Sequence, residues 1–202
     1  MARNIGPKNR LARKTGSDLS LKTNSLKVAR RLNIPPGMHG RKGKKKLSNY
    51  GEQLAEKQKV KFLYGVLEKH MRKLYDIATK TPASTGKVLL SLLERRLDNV
   101  VYRLGMAPTR AAARQMVVHG NVRVNNEKLN VPSYVVQLND VITLTETGMK
   151  IPATAELMKD KNKAIPAWLE RQNAAGKVGR MPERDEIDAG INEQLIVEFY
   201  SR

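Results

Sequence analysis

The guanidinium groups of Arg96, Arg103, Arg110, Arg114 and Arg123 fall within one short stretch of a 202-residue chain. A guanidinium is a planar fork of donors that matches two phosphate oxygens and stacks on an exposed base, so arginines gathered on rigid elements suit a folded RNA. Arg110 and Arg114 stand four residues apart in TRAAARQMVVHG, about 40° apart on a helix. They are expected to project together beside an apolar side made by Ala113, Met116 and Val117, and their loss is expected to weaken a polyanion contact with little change in stability. The alternative is a set of solvated side chains that keep a small domain soluble.

The rest of the chain favours contact with a polyanion. Lysine and arginine number 38 against 19 acids, a formal charge of +19 with a pI near 10.3, and such a field favours nucleic acid as partner. Residues 1–46 hold 14 of the basic residues and one acid. Arg3, Lys8, Arg10, Arg13, Lys14, Arg30, Arg31, Arg41, Lys42, Lys44, Lys45 and Lys46 are the candidate RNA contacts there. Aromatic residues make up 4% of the chain and are scattered, which disfavours a base-stacking platform for single strands. There is no cysteine, hence no disulfide, thiolate zinc site or cysteine nucleophile. The longest apolar run is VLLSLL, too short to span a bilayer. The chain reads as soluble and cytoplasmic, with no membrane, metal, cofactor or small-molecule substrate.

These groups need elements to hold them. Gly6-Pro7, Gly16, Pro35-Pro36-Gly37 and GRKGKKK interrupt residues 1–46, which read as an extended arm that orders against its partner. Residues 47–93 form a helical domain: Asn49 with Glu52 makes a capping-box pattern, and Leu63, Val66, Leu67, His70, Met71, Leu74 and Tyr75 recur at helical spacing, with a kink expected near Gly65. His70 belongs to that core stripe. Thr85 is a candidate cap for a helix running on through GKVLLSLLERRLDNVVYRLG, which Gly105 can end, and Thr109 a cap for the next. Val122 and Val124 alternate with polar residues as in a half-buried strand, NNEK is a turn, and SYVVQL and VITLTE fit further strands around Asn139-Asp140. The fold class is α+β: the arm, the helical domain completed by 185–202, a two-helix module on a small, mainly antiparallel sheet over 94–152, and a connecting segment 153–184.

The stretch from Arg95 to Leu144, with RLDN, TRxxARQxVxHG, VxVN, PSY and a D-[VI]-[IV] strand, resembles the S-four RNA-binding domain. MARNIGPKNRLARKTG, PPGMHGRKGKKKLSNYGEQLAEKQKVKFLYGVLEKHMRKLY and INEQLIVEFYSR extend the resemblance to the bacterial small-subunit ribosomal protein S-four family over nearly the whole chain. That resemblance implies a structural constituent of the small ribosomal subunit. It would be a primary binder of the 5′ domain of small-subunit ribosomal RNA that nucleates assembly. It would also lie beside ribosomal protein S-five near the messenger RNA entrance and contribute to translational accuracy. Some family members bind zinc through cysteines of the arm, which this sequence lacks, so a zinc-free arm is expected. Asn125-Asn126 and Asn139-Asp140 stand where the family has glycine-containing turns; asparagine tolerates the left-handed region, so both turns can survive.

Two other classes compete. An RNA-modifying enzyme that uses the module for targeting needs a separate catalytic domain, and the 50 residues after the module offer only a run of acids without a neighbouring histidine or phosphate loop. A nonspecific DNA-compacting protein would explain the charge but not the module. His39 lies in a turn, where a phosphate contact or a hydrogen bond suits it better than a metal, and His119 at a helix end, where a partly charged imidazole meets the negative end of the dipole. Asp185, Glu186, Asp188 and Glu193 make an acidic edge before the apolar ending and are the candidate interface with a basic protein neighbour.

Overall fold

The computed structural model describes residues 4–42, 46–159, 164–187 and 190–202. The chain divides into two compact units, Met1–Leu89 with Gly190–Arg202, and Leu90–Ala189.

In the first unit the basic arm carries two helices, α1 (Lys8–Thr15) and α2 (Ser25–Ala29). Gly16 ends α1 in the left-handed region at φ 74°, returning its N–H to the Ala12 carbonyl, a stop that glycine makes without a Cβ penalty. Asn24 caps α2 by accepting from the Lys27 N–H. Arg13 donates from Nε to the Ile34 carbonyl (2.8 Å) and from Nη2 to the Pro35 carbonyl (3.0 Å). The arm thus carries local structure, to which Arg13 contributes.

Next come α3 (Asn49–Leu63) and α4 (Glu68–Thr79). Ser48, not Asn49, caps α3. Gly65 at φ 64° ends the helix outright rather than bending it. The break resets the helical phase, so Leu67 is exposed whereas Val66, Met71 and Leu74 are buried. The helix α5 (Thr85–Glu94) follows, its first turn closed by the Val88 N–H on the Ser84 carbonyl.

The second unit begins at Leu90, within α5, and continues with α6 (Leu97–Arg103) and α7 (Arg110–Val118). The single helix expected across RLDN is broken at Arg96, which is extended and bridges Val135. The N–H groups of Leu97 and Asp98 would be orphans of the new helix start; they donate to the carbonyls of Tyr134 (2.8 Å) and Pro132 (3.2 Å). PSYVV therefore serves as a clasp on α6 instead of the expected strand. Thr109 caps α7 through Ala112 N–H.

Five antiparallel strands then form one sheet in the order β2-β1-β3-β5-β4: β1 (Val122–Val124), β2 (Glu127–Lys128), β3 (Val141–Leu144), β4 (Leu169–Gln172) and β5 (Ala175–Val178). Asn125 and Asn126, both at positive φ, make the two-residue β1–β2 hairpin. Asn125 Nδ2 donates to Asp140 Oδ1 and its Oδ1 accepts from the Val141 N–H, which ties that turn to the start of β3. Between β3 and β4 lie α8 (Glu146–Met149) and α9 (Pro152–Lys159). Residues 153–184, read from the sequence as a connection, contribute β4 and β5 to the sheet and Trp168, 1% exposed, to the core. Leu97, Val100, Leu104, Val117, Val122, Ile142, Trp168 and Val178 are among the side chains that fill the layer between helices and sheet. The last helix, α10 (Glu193–Tyr200), belongs to the first unit and packs on α3.

Candidate nucleic-acid interface

The RLDN turn and the start of α7 bring four of the five arginines into one network. Glu94, 1% exposed, accepts from Arg103 Nε (3.0 Å) and Nη2 (2.6 Å) and from Asn99 Nδ2 (2.6 Å). Asn99 in turn accepts from Arg110 Nε at 2.8 Å. Asp98 takes a bidentate fork from Arg96 (3.1 and 2.7 Å) and a third bond from Arg114 Nη1 (3.1 Å). The Arg110 guanidinium also lies over the Tyr102 ring, 4.7 Å from its centroid, a cation–π contact.

This geometry corrects the picture of freely projecting arginines. Arg96 and Arg110 are buried, and Arg103 and Arg114 retain side-chain exposures of 18% and 14%. The physical reason is local: the break at Arg96 turns Asp98 and Asn99 toward α7, and buried carboxylates require guanidinium partners. Spacing placed the arginines on shared stripes, but it gave no role to Glu94 and Asp98. Two carboxylates close to these four arginines between Glu94 and Arg114 were the available signal.

The remaining candidates stand apart from that network. Arg123 is exposed on the outer side of β1, with Lys128 and Thr143 as its register partners on the two flanking strands. In the first unit Arg10, Lys14, Arg30, Arg31, Lys42 and Lys46 are exposed, and Lys8 donates to the Asn4 carbonyl at 2.9 Å. Arg3, Lys44, Lys45 and Asp188 lie outside the described residues, as does the side chain of Arg41. Of the acidic edge, Asp185 is exposed, whereas Glu186 accepts from Arg180 (2.7 and 3.0 Å) and closes a capping box with Glu183. Glu193 begins α10 and would meet any side chain added at Gly86.

Titratable groups respond to the same packing. Burial lowers the Arg95 pKa, with Asp140 opposing; burial first and Asp140 second raise that of Tyr134. Among the described residues no group of three or more His, Cys, Asp or Glu could hold a metal ion, and no helix is long and apolar enough to cross a membrane.

Residues 3–94 match the family model described as ribosomal protein S4/S9 N-terminal domain, and residues 95–142 match the S4 domain. The chain is thus an S4-domain protein. The chain is 50% identical to small ribosomal subunit protein uS4 of Aquifex aeolicus, 49% to that of Dictyoglomus turgidum and 47% to that of Parabacteroides distasonis, in each case over the whole of both chains. It belongs to the small ribosomal subunit protein uS4 family.

Proposed function

We propose that the chain is a structural constituent of the small ribosomal subunit and works by binding small-subunit ribosomal RNA rather than by catalysis. One observation carries the reading: Arg103 and Arg114, oriented by Glu94 and Asp98, keep part of their side chains exposed on α6 and α7. Guanidinium forks already ordered on rigid helices meet phosphate at little entropic cost. The outer side of the sheet, with Arg123 and Lys128, and the exposed cations of the first unit supply further phosphate contacts.

Chemical footprinting of the purified protein on small-subunit ribosomal RNA tests this. Protection concentrated at one junction of the 5′ domain, resistant to competing duplex DNA at physiological salt, is the expected result. Diffuse protection abolished by duplex DNA would leave only nonspecific charge binding.

Within that role the chain nucleates subunit assembly and acts in the cytoplasm. The cluster with Lys42 and Lys46 meets messenger RNA at its entrance, and the acidic edge at Asp185 and Glu193 meets ribosomal protein S-five, by which the chain contributes to accuracy. Neutralising the edge is expected to raise miscoding with ribosomal RNA affinity intact. Reporter readthrough at the wild-type level, in subunits containing the variant, would remove this part of the proposal.

A further inference from the structure

Arg13, a candidate RNA contact by its charge, spends its guanidinium inside the protein. From the last turn of α1 it reaches 21 residues along the chain, Nε donating to the Ile34 carbonyl at 2.8 Å and Nη2 to the Pro35 carbonyl at 3.0 Å. Successive carbonyls of an extended chain point to opposite sides, so two neighbours that accept from one fork mark a bend. Pro35 and Pro36 bring no N–H to close that bend. The donors come from α1 instead.

The Pro35 carbonyl is met from a second side. Gly40 is buried, and a Cβ there would overlap the Pro35 oxygen, so the returning chain rests on this carbonyl with only a hydrogen between them. The Gly40 N–H donates to the Gly37 carbonyl (3.2 Å) and the Lys42 N–H to the His39 carbonyl (3.0 Å), which closes the short 3-10 turn Gly40–Lys42. Met38, His39 and Lys42 stand exposed around it. A continuous run of contacts therefore leads from Arg13 through Pro35 and Gly40 to an exposed ammonium.

We infer that Arg13 is a positioning residue of the RNA interface: it holds the Ile34–Pro35 bend and, through the Gly40 turn, sets where Lys42 stands. Its own charge makes no phosphate contact. Lysine cannot replace it, because a single ammonium on a flexible stem lacks the fork that spans two neighbouring carbonyls. The inference rests on the reading of the first unit's exposed cations as RNA contacts, and it moves Arg13 from the surface of that interface to its support.

The test is filter binding of the full chain to small-subunit ribosomal RNA over a salt series, with R13K, K42A, R13K/K42A and G40A beside wild type. K42A should make the slope of log K against log salt shallower by about one unit, the amount for one lost phosphate contact. R13K should do the same although it keeps its charge, and R13K/K42A should bind within about twofold of K42A, since the two changes remove one contact. G40A, which alters no charge, should give the same loss, and it carries the comparison if circular dichroism shows that R13K loses helix. The amide signals of Gly37 and Gly40 should move in the NMR spectrum of R13K. A wild-type slope in R13K or G40A overturns the positioning role and leaves the RNA reading intact. So does an R13K loss that adds to that of K42A, or one that comes with unmoved amide signals, either of which would make Arg13 a direct contact. K42A that binds as wild type does would overturn both the first unit's cations as RNA contacts and the inference built on them.

Discussion

Arg110 Nε donates to Asn99 Oδ1 at 2.8 Å, joining α7 to α6 through a side-chain amide that is 2% exposed. The same amide donates to Glu94 Oε2 at 2.6 Å and to the Glu94 carbonyl at 2.9 Å. Asn99 is thus the relay between a buried carboxylate and the first arginine of α7. Replacing it with alanine leaves both partners short of a bond in a buried setting, a cost of about 1–3 kcal/mol. Urea unfolding of the full chain measures it, and a loss near zero would deny Asn99 its bridging role.

Asp98 and Arg114 are unequal partners. Asp98→Ala leaves the buried Arg96 guanidinium without its carboxylate, and breaking a buried pair in this way costs about 3–5 kcal/mol. Arg114→Ala keeps the Arg96–Asp98 fork at 2.7 and 3.1 Å, so its effect on stability is expected to be the smaller one. Equal losses from the two variants would mean that the three groups do not divide as this geometry requires.

Gly176 on β5 faces Leu104, and a Cβ there would overlap both Leu104 methyl groups. Gly176→Ala is therefore expected to destabilise by about 1–3 kcal/mol through overpacking, despite alanine's lower backbone entropy in the unfolded chain. A thermal midpoint at or above that of wild type would show that Leu104 yields freely.

In the first unit, Glu68 accepts from Lys57 (2.9 Å), Lys61 (3.1 Å) and the Tyr200 hydroxyl (2.8 Å). Burial pushes the Glu68 carboxyl up, but the hydrogen bonds from Lys57, Tyr200 and Lys61 outweigh it and hold the pKa below the ordinary glutamate value. Burial and then Glu68 push the Tyr200 phenol up. A carboxylate with a depressed folded-state pKa contributes stability above its unfolded value and loses it as pH falls through the folded one; a phenol with a raised pKa contributes below its unfolded value and loses it at more alkaline pH. Tyr200→Phe should therefore raise the Glu68 pKa and move the start of acid unfolding to higher pH. An NMR titration of the Glu68 carboxyl that is unchanged in the variant would contradict this.

Much of the architecture follows from local chemistry that the sequence displays. Thr109 before an alanine-rich helix, the alternation of Val122 and Val124, Gly105 after α6 and the Asn-Asn turn all act over a few residues, and each appears where its local physics places it. The basic bias toward the N-terminus needs no fold at all. Composition, caps and family motifs therefore determined the α+β class and the ribosomal family. Tertiary structure alone decided what the charged side chains do. Arg96, Arg103, Arg110 and Arg114 are cations in any conformation, but their partners Glu94 and Asp98 become partners only once the chain breaks at Arg96 and α7 packs on α6. The strands at 169–178 carry Gly176, Arg171 and Lys177 with little apolar alternation, so they are fixed by pairing with β3 and by Trp168 in the core rather than by their own pattern. Long-range pairing of this kind leaves no period in the sequence, because the groups that satisfy one another lie far apart along the chain.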